Sequence, residues 1–515
     1  MIALNEIRVL PDLLRLAEGA YGEEPAIQLS GRPESIRTYR SVNDLAGRGG
    51  ALLASIPADP GDAVIMLLDS GPDWVVTFFS IQMAGLVAVP LLMDTPRDRL
   101  PAIVQRVGAR VAVTGGRGRG AFRRQSGFVE IPVESLLTHS GRLDMPRTRW
   151  PEDLALLAFT SGTTAQSKLV ELSHGNLMAD VRSVLSVGTA GPGDSLLSML
   201  PLAHLFELTG GLLAPLACGA RIVYEPSPLP NRIVRSLRDH GVTHALAVPG
   251  LVRCLVEEVC SQRKDFGGCH GLAETAASVR SVIGPSFHTL IVGGASLGKD
   301  LVKLIRGAGI QVGVGYGLTE AGPIVSLGLL GADPVGSVGR PLPGVEVRLS
   351  EAGEILVRGG NVMRGYHRDP EASNAAFADG WLRTGDLGAI DENGCLFLTG
   401  RLKDVIISPT GETLDPEEME AYYHHPRFVE IAIAGLKGAD GNDEPVLFVV
   451  PSDEEIADEI CQDVFSKLRT AAPPRFRASR WVRLHQPLPR TATGKIRRAD
   501  LRASGGVLPG RIAGE

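Results

Sequence analysis

A few short stretches of this chain collect residue types that can handle phosphate, a metal ion and a nucleobase. Leu156 to Val170, LLAFTSGTTAQSKLV, runs from an apolar strand into Thr160, Ser161, Gly162, Thr163 and Thr164, then reaches Lys168. Hydroxyl and backbone donors in a row can wrap phosphate oxygens, and the lysine adds positive charge. The plain alternative is a Ser/Thr/Gly turn between two elements, because the Walker spacing GxxxxGK[ST] is missing. Val312 to Gly322, VGVGYGLTEAG, sets Gly315 and Gly317 around Tyr316 and follows them with Thr319 and Glu320. Glycine lets a backbone approach closely, tyrosine can stack on a base, threonine can reach phosphate, and glutamate can hold Mg²⁺. Asp386 in TGDLG can accept from ribose hydroxyls, and Arg401 in GRLKD can donate to ribose or phosphate. Lys495, in PRTATGKIRR, follows a glycine among further cations.

Such residues need a large scaffold, and the composition supplies one. The 515 residues are 44% hydrophobic and 21% charged, enough for two to four domains with buried cores. With 52 Lys+Arg against 58 Asp+Glu the net charge is -6, which argues against a nucleic-acid partner. Six cysteines without a CxxC pair read as reduced thiols of a cytoplasmic protein, and the first residues lack the basic start and apolar stretch of a secretory signal. Trp74 to Met93 is uncharged and long enough to span a membrane, yet Gln82, Gly85 and Pro90 divide it. It parses as a buried helix ending near Gly85 followed by a short strand, with no transmembrane span. A second misleading stretch, Val113 to Gln125, begins a GxGxxA pattern but continues as an arginine-dense, solvated loop.

The runs DAVIMLL, LVAVPLL, ARVAVT, ARIVYE, HTLIVGG and IQVGVGY read as strands buried on both faces, alternating with helices. After about Asn361 the texture changes. GWLRTGDLGAIDENGCLFLTGR carries a turn at DENG, and PEEMEAYYHHPRF and DEEIADEICQDVFSKLRTAA read as amphipathic helices around a strand, EPVLFVV. The expectation is an α/β protein: a large, multi-lobed N-terminal α/β domain over 1–400 and a small, mobile α+β C-terminal domain over 401–515.

Taken in order, these motifs resemble the AMP-forming adenylate superfamily of acyl-CoA synthetases, adenylation domains and beetle luciferases, over nearly the whole chain. The resemblance implies ATP and Mg²⁺ as cofactors, with Thr163, Lys168, Glu320 and Lys495 in catalysis and Glu320 on the metal. It implies that Thr160 to Thr164, Gly294, Ala295, Tyr316, Gly317, Thr319, Glu320, Asp386 and Arg401 bind ATP or AMP. His204, Gly294 and Gly315 are expected at the acyl pocket, and Lys403 at the hinge. The family's phosphate loop reads TSGTTGxPKG, whereas here Ala165, Ser167 and Leu169 replace glycine, proline and glycine. Alanine and leucine disfavour positive φ, so a strained, slowly cycling loop is expected if the family loop uses that region.

The implied reaction activates a carboxylic acid as acyl-adenylate, releases pyrophosphate, and transfers the acyl group to CoA or to the phosphopantetheine of a carrier protein. At the position where amino-acid-activating relatives carry an aspartate, this chain reads His204-Leu205-Phe206, which disfavours an α-amino acid. The texture of the hinge and acyl-pocket runs is closest to medium- to long-chain fatty acyl ligases, with an aryl or other natural-product acid loaded on a carrier protein as the alternative. No insertion precedes LRTGD, so CoA is permitted. Luciferase-like oxidation and a non-catalytic adenylate-binding relative are the competing readings; fold alone does not separate them.

Overall fold

The structure is a computed structural model that describes residues 2–123, 127–147, 149–160, 168–188, 190–261, 272–294, 297–328, 333–407, 413–438, 443–490 and 496–504. Each of the six apolar runs forms a strand, at Ala63–Leu67, Val87–Pro90, Val111–Thr114, Arg221–Tyr224, Thr289–Val292 and Gln311–Tyr316. The stretch of membrane-like length is helix Pro72–Met83, buried from Trp74 onward, followed by the buried strand Val87–Pro90. Gly85 turns the chain between them at φ 73°, a conformation that costs glycine little. No helix among the described residues is long and apolar enough to cross a membrane.

Among the described residues, three sheets of nine, seven and five strands make up the large N-terminal α/β domain. In the nine-stranded sheet, Ser195–Ser198, His244–Ala247, Thr289–Val292 and Gln311–Tyr316 run parallel side by side. Their carboxyl ends therefore open at one edge, where parallel α/β sheets bind ligands. Gly293 and Gly294 of GGAS follow directly on Val292, and Gly317 follows directly on Tyr316. Helix Tyr39–Ser55 lies against helix Pro72–Met83 at a distance that only glycine permits, since a Cβ on Gly49 would come 2.1 Å from Ser80 Oγ.

Leu154–Phe159 and Leu169–Ser173 pair antiparallel in the seven-stranded sheet, so the Thr/Ser-rich stretch joins the arms of a hairpin. Leu169 faces Phe159 across it and is fully buried, with no positive φ. The expectation of strain fails at this position: Leu169 belongs to the strand and the core, where a large apolar side chain is favoured. Ala165 and Ser167 lie outside the described residues.

Beyond Arg401 the chain builds a three-stranded sheet of Phe428–Lys437, Asp443–Pro451 and Arg480–Arg483, covered by helix Asp458–Ala471. The helix expected across PEEMEAYYHHPRF is confined to Pro416–Glu420. Tyr423 leaves the helical path to accept from Ala478 N at 2.6 Å and donate to Phe476 O at 3.2 Å, and Pro426 disfavours helix at the residue before it.

Candidate active site

Local pairing explains how the expected residues meet. Asp386 and Arg401 are directly opposed on the antiparallel strands Trp381–Ile390 and Leu396–Arg401. Their side chains join at 3.1 Å, Arg401 Nε to Asp386 Oδ1. Tyr316, the last residue of its strand, donates its hydroxyl to Asp386 Oδ2 at 2.8 Å. Burial and the neighbouring Asp386 charge push the Tyr316 phenol well above its ordinary range, so it stays a donor. Both carboxylate oxygens are engaged, yet each has a second lone pair that can still accept from a ligand hydroxyl.

Gly317 follows Tyr316 at a point where a Cβ would lie 1.7 Å from Pro323 O, so no other residue fits that turn without moving the backbone. Thr319–Ala321 is a single 3-10 turn, and Asn361 Nδ2 holds it by donating to Ala321 O at 2.7 Å. Glu320, within this turn, accepts from the Tyr366 hydroxyl at 2.9 Å. The Tyr366 ring in turn receives Lys168 Nζ at 4.2 Å from its centroid. Pairing of Gly365–Tyr366 with Val170 and Glu171 brings this tyrosine beside the hairpin, whose base is closed by Thr160 N donating to Lys168 O at 2.9 Å.

One cavity of about 1200 Å³ gathers these parts. Thr160, Gly294, Gly315, Tyr316, Gly317, Thr319, Glu320, Asp386 and Arg401 border it, as do His204 and Lys403. Lys168 is exposed and stands outside the cavity wall, held by Tyr366. Ser161, Gly162, Thr163, Thr164, Ala295 and Lys495 lie outside the described residues. The segment containing Lys495 is nonetheless flanked by Arg490 and Ile496, which bridge to each other and both border the cavity. Burial holds the His204 imidazole below the usual histidine range, with Asp94 pulling the other way, so the ring is mainly neutral at pH 7.

Besides His204 and Gly294, the cavity is lined by the apolar side chains of Val184 and Leu185, near the end of helix His174–Ser186, and by Leu196, Ala245 and Cys218. That helix is fixed at its start by a capping box, Ser173 Oγ accepting from Asn176 N at 3.1 Å and Asn176 Oδ1 from Ser173 N at 2.9 Å. Val248 and His244 both border the cavity. They stand four residues apart along one strand direction, a run of about 13 Å.

Sequence reasoning missed Tyr366 and Asn361, which hold Glu320 and its turn. Neither sits in a patterned motif, and both arrive through pairing across some forty residues or more. Only a polar residue fully buried by the fold, as Asn361 is at 1% exposure, marks it afterwards.

Residues 17–367 match the family described as AMP-binding enzyme. A 4-coumarate-CoA ligase from Narcissus pseudonarcissus is 32% identical to this chain, covering 86% of it and 82% of the relative. A long-chain-fatty-acid–CoA ligase from Salmonella typhimurium is 27% identical over 96% of this chain and 94% of its own length. Among solved structures, the o-succinylbenzoate coenzyme A synthetase of Bacillus subtilis in complex with ATP and magnesium ion superposes with a TM-score of 0.80 at 24% identity, covering 95% of this chain and 98% of its own.

Proposed function

The chain belongs to the AMP-binding enzyme family and is an AMP-forming acid–thiol ligase, and from that premise we propose a medium- to long-chain acyl carboxylate as its acid. The observation that carries the proposal is the apolar lining that Val184, Leu185, Leu196, Ala245 and Cys218 give the cavity that His204 also borders. The His244-to-Val248 run along the cavity wall, about 13 Å, is the reach of roughly ten extended C–C bonds. Each methylene buried there contributes about 0.8 kcal/mol, roughly fourfold in affinity.

The reaction has two steps. A carboxylate oxygen of the acid attacks the α-phosphorus of ATP, the new P–O bond forms, and pyrophosphate leaves with the cleaved bond's electrons. A thiol then adds to the acyl carbon of the adenylate, loses its proton, and expels AMP. Neither substrate carboxylate nor phosphate needs a general base in the first step, so the protein's work is positioning and charge neutralisation.

We assign this work as follows. Tyr316 and the backbone at Gly294 and Gly317 bind the adenine, and Asp386, oriented by Arg401 and Tyr316, accepts from the ribose. Thr160 to Thr164, Lys168 and Thr319 hold phosphate oxygens, and Lys495 neutralises charge in the first step. Mg²⁺ fits the Glu320 carboxylate, a hard oxygen donor at the cavity wall steadied by Tyr366. When bound, the ion neutralises phosphate charge. Residues 1–400 and 401–515 act as two units hinged near Lys403. Two observations support that division: the cores beyond Ile406 share no residue with those before it, and Lys403 is exposed at the cavity.

CoA is the thiol acceptor of the named relatives, and a carrier protein's phosphopantetheine presents the same arm. The aryl-acid reading draws on the coumarate ligase likeness. Acid-dependent AMP release measured with straight-chain acids, 4-coumarate and benzoates, offering CoA and carrier protein separately, tests these readings together. The expected result is a specificity constant that climbs with chain length and levels off near ten to twelve carbons, about where the apolar run ends. A tenfold preference for an aryl acid overturns the acyl assignment, and no carboxylate-dependent ATP–pyrophosphate exchange with any acid overturns catalysis itself.

A further inference from the structure

The amino edge of the nine-stranded sheet, opposite the glycine turns, carries a cluster to which the ligase steps give no role beyond the place of His244 on the cavity wall. Asp194 immediately precedes strand Ser195–Ser198, His244 opens strand His244–Ala247, and His288 immediately precedes strand Thr289–Val292. These three strands are neighbours, with His244 in register with both Leu196 and Thr289. The fold thus brings together residues separated by tens of positions in the chain.

We infer that Asp194, His244 and His288 form a binding site for a divalent transition-metal ion of the zinc class. One ligand atom from each lies within 4.8 Å of those of the other two. Asp194 Oδ1 is 3.8 Å from His244 Nδ1 and 4.0 Å from His288 Nε2. Those separations are too long for hydrogen bonds. They lie within about 0.6 Å of the roughly 3.4 Å spanned by two ligands bonded at 2.0–2.1 Å to a tetrahedral ion.

The surrounding bonds orient the donors. Asp194 Oδ2 accepts from Gly191 N at 2.9 Å, which leaves Oδ1 turned toward the imidazoles. His288 Nδ1 lies 2.9 Å from Thr289 Oγ1, the outer hydrogen bond that commonly fixes a metal-binding imidazole, while Nε2 faces Asp194. His244 is buried, and His288 is half exposed and gives the ion a route from solvent. Thr243 Oγ1, 2.7 Å from His244 Nδ1, must yield that nitrogen to the ion, which costs part of the affinity. Two imidazoles and a carboxylate select Zn²⁺, Co²⁺ or Ni²⁺ over Mg²⁺, which prefers all-oxygen sites. Three protein ligands leave a fourth position for water. His244 also borders the active-site cavity, so the ion would sit at the His244 end of the proposed acyl run, although its binding requires no acid to be present.

Co²⁺ is the probe, titrated into the full chain without ATP and followed by its visible absorption, with Zn²⁺ as competitor and thermal melting as a second readout. We expect one equivalent to bind, Zn²⁺ to displace it, and Zn²⁺ to raise the melting temperature. His288→Ala and Asp194→Asn should each weaken binding by about tenfold or more, whereas Glu320→Gln should leave it intact. Half-exposed His288 can be truncated without threatening the fold, so its metal-free melting temperature should match the parent. Absence of a Co²⁺ band and of a Zn²⁺-dependent melting shift overturns the site. So does binding that survives both variants, or binding that disappears only in Glu320→Gln.

Discussion

Asp386 concentrates more of the proposed nucleotide chemistry than any other described side chain, because it joins a buried phenol and a guanidinium while keeping lone pairs for a ligand. Asp386→Asn keeps the shape and removes the charge. Hydrogen bonds to charged groups contribute about 1.5–3 kcal/mol, so the specificity constant for ATP should fall roughly tenfold to hundredfold. Steady-state kinetics with varied ATP check this, and an unchanged Michaelis constant and turnover would remove Asp386 from the site. Leu169 makes the opposite case. Its place in the sequence matches a loop glycine, yet its side chain is fully buried on a strand. Leu169→Gly should lose about 3–6 kcal/mol through the emptied core and the freed backbone, and gain nothing in ATP turnover. Thermal melts and ATP kinetics on the one variant decide it: faster turnover with an unaltered melting temperature contradicts the strand assignment's consequence.

Glu207 opens the π-helical segment Glu207–Leu213, and there an element's geometry imposes an electrostatic cost. The side chain is fully buried and neither carboxylate oxygen has a hydrogen-bond partner. Burial pushes its pKa up to about 8, while the Ser198 hydroxyl pulls the other way without completing a hydrogen bond. The folded chain therefore keeps a proton that the unfolded chain releases above its ordinary carboxylate range. Below about pH 4.5 both states are protonated and there is no penalty. As pH rises from there to about 8 the folded state loses stability relative to the unfolded, and above about 8 the loss stops growing. Glu207→Gln should flatten the decline in melting temperature across that window. Identical pH profiles for parent and variant would show that the carboxyl has found a partner in solution.

At the scale of the whole molecule, two sets of cores divide near Arg401, and the cavity lies between groups from both sides: Tyr316 and Asp386 from one, Arg498 and Arg502 from the other. If the C-terminal part presents Lys495 only for the first step, Lys495→Ala should nearly abolish adenylate formation while sparing thioester formation from a supplied acyl-adenylate. Single-turnover measurements of each half-reaction separate the two. An equal loss in both assigns the lysine to folding or to a shared binding role, and removes the case that the C-terminal part serves the first step alone.

Periodicity and punctuation alone determined the alternation of buried strands and helices, the division of Trp74 to Met93 into helix and strand, and the hairpin at DENG. Each depends on residues within about a dozen positions, where the spacing of apolar side chains and the φ demands of glycine and proline act directly. The identities of Thr160, Tyr316, Glu320, Asp386 and Arg401 were legible too, since their chemistry is carried by residue type within short motifs. Tertiary structure alone decided what those residues touch. Strand register sets Asp386 against Arg401 and Tyr366 beside Glu320, and buried Leu169 is a core residue because Phe159 faces it across a hairpin. The meeting of Asp194, His244 and His288 is the extreme case, for their spacing in the chain carries no pattern. Parallel strands joined by crossovers place residues side by side in an order that local sequence does not encode, because it follows from how buried faces stack into one sheet.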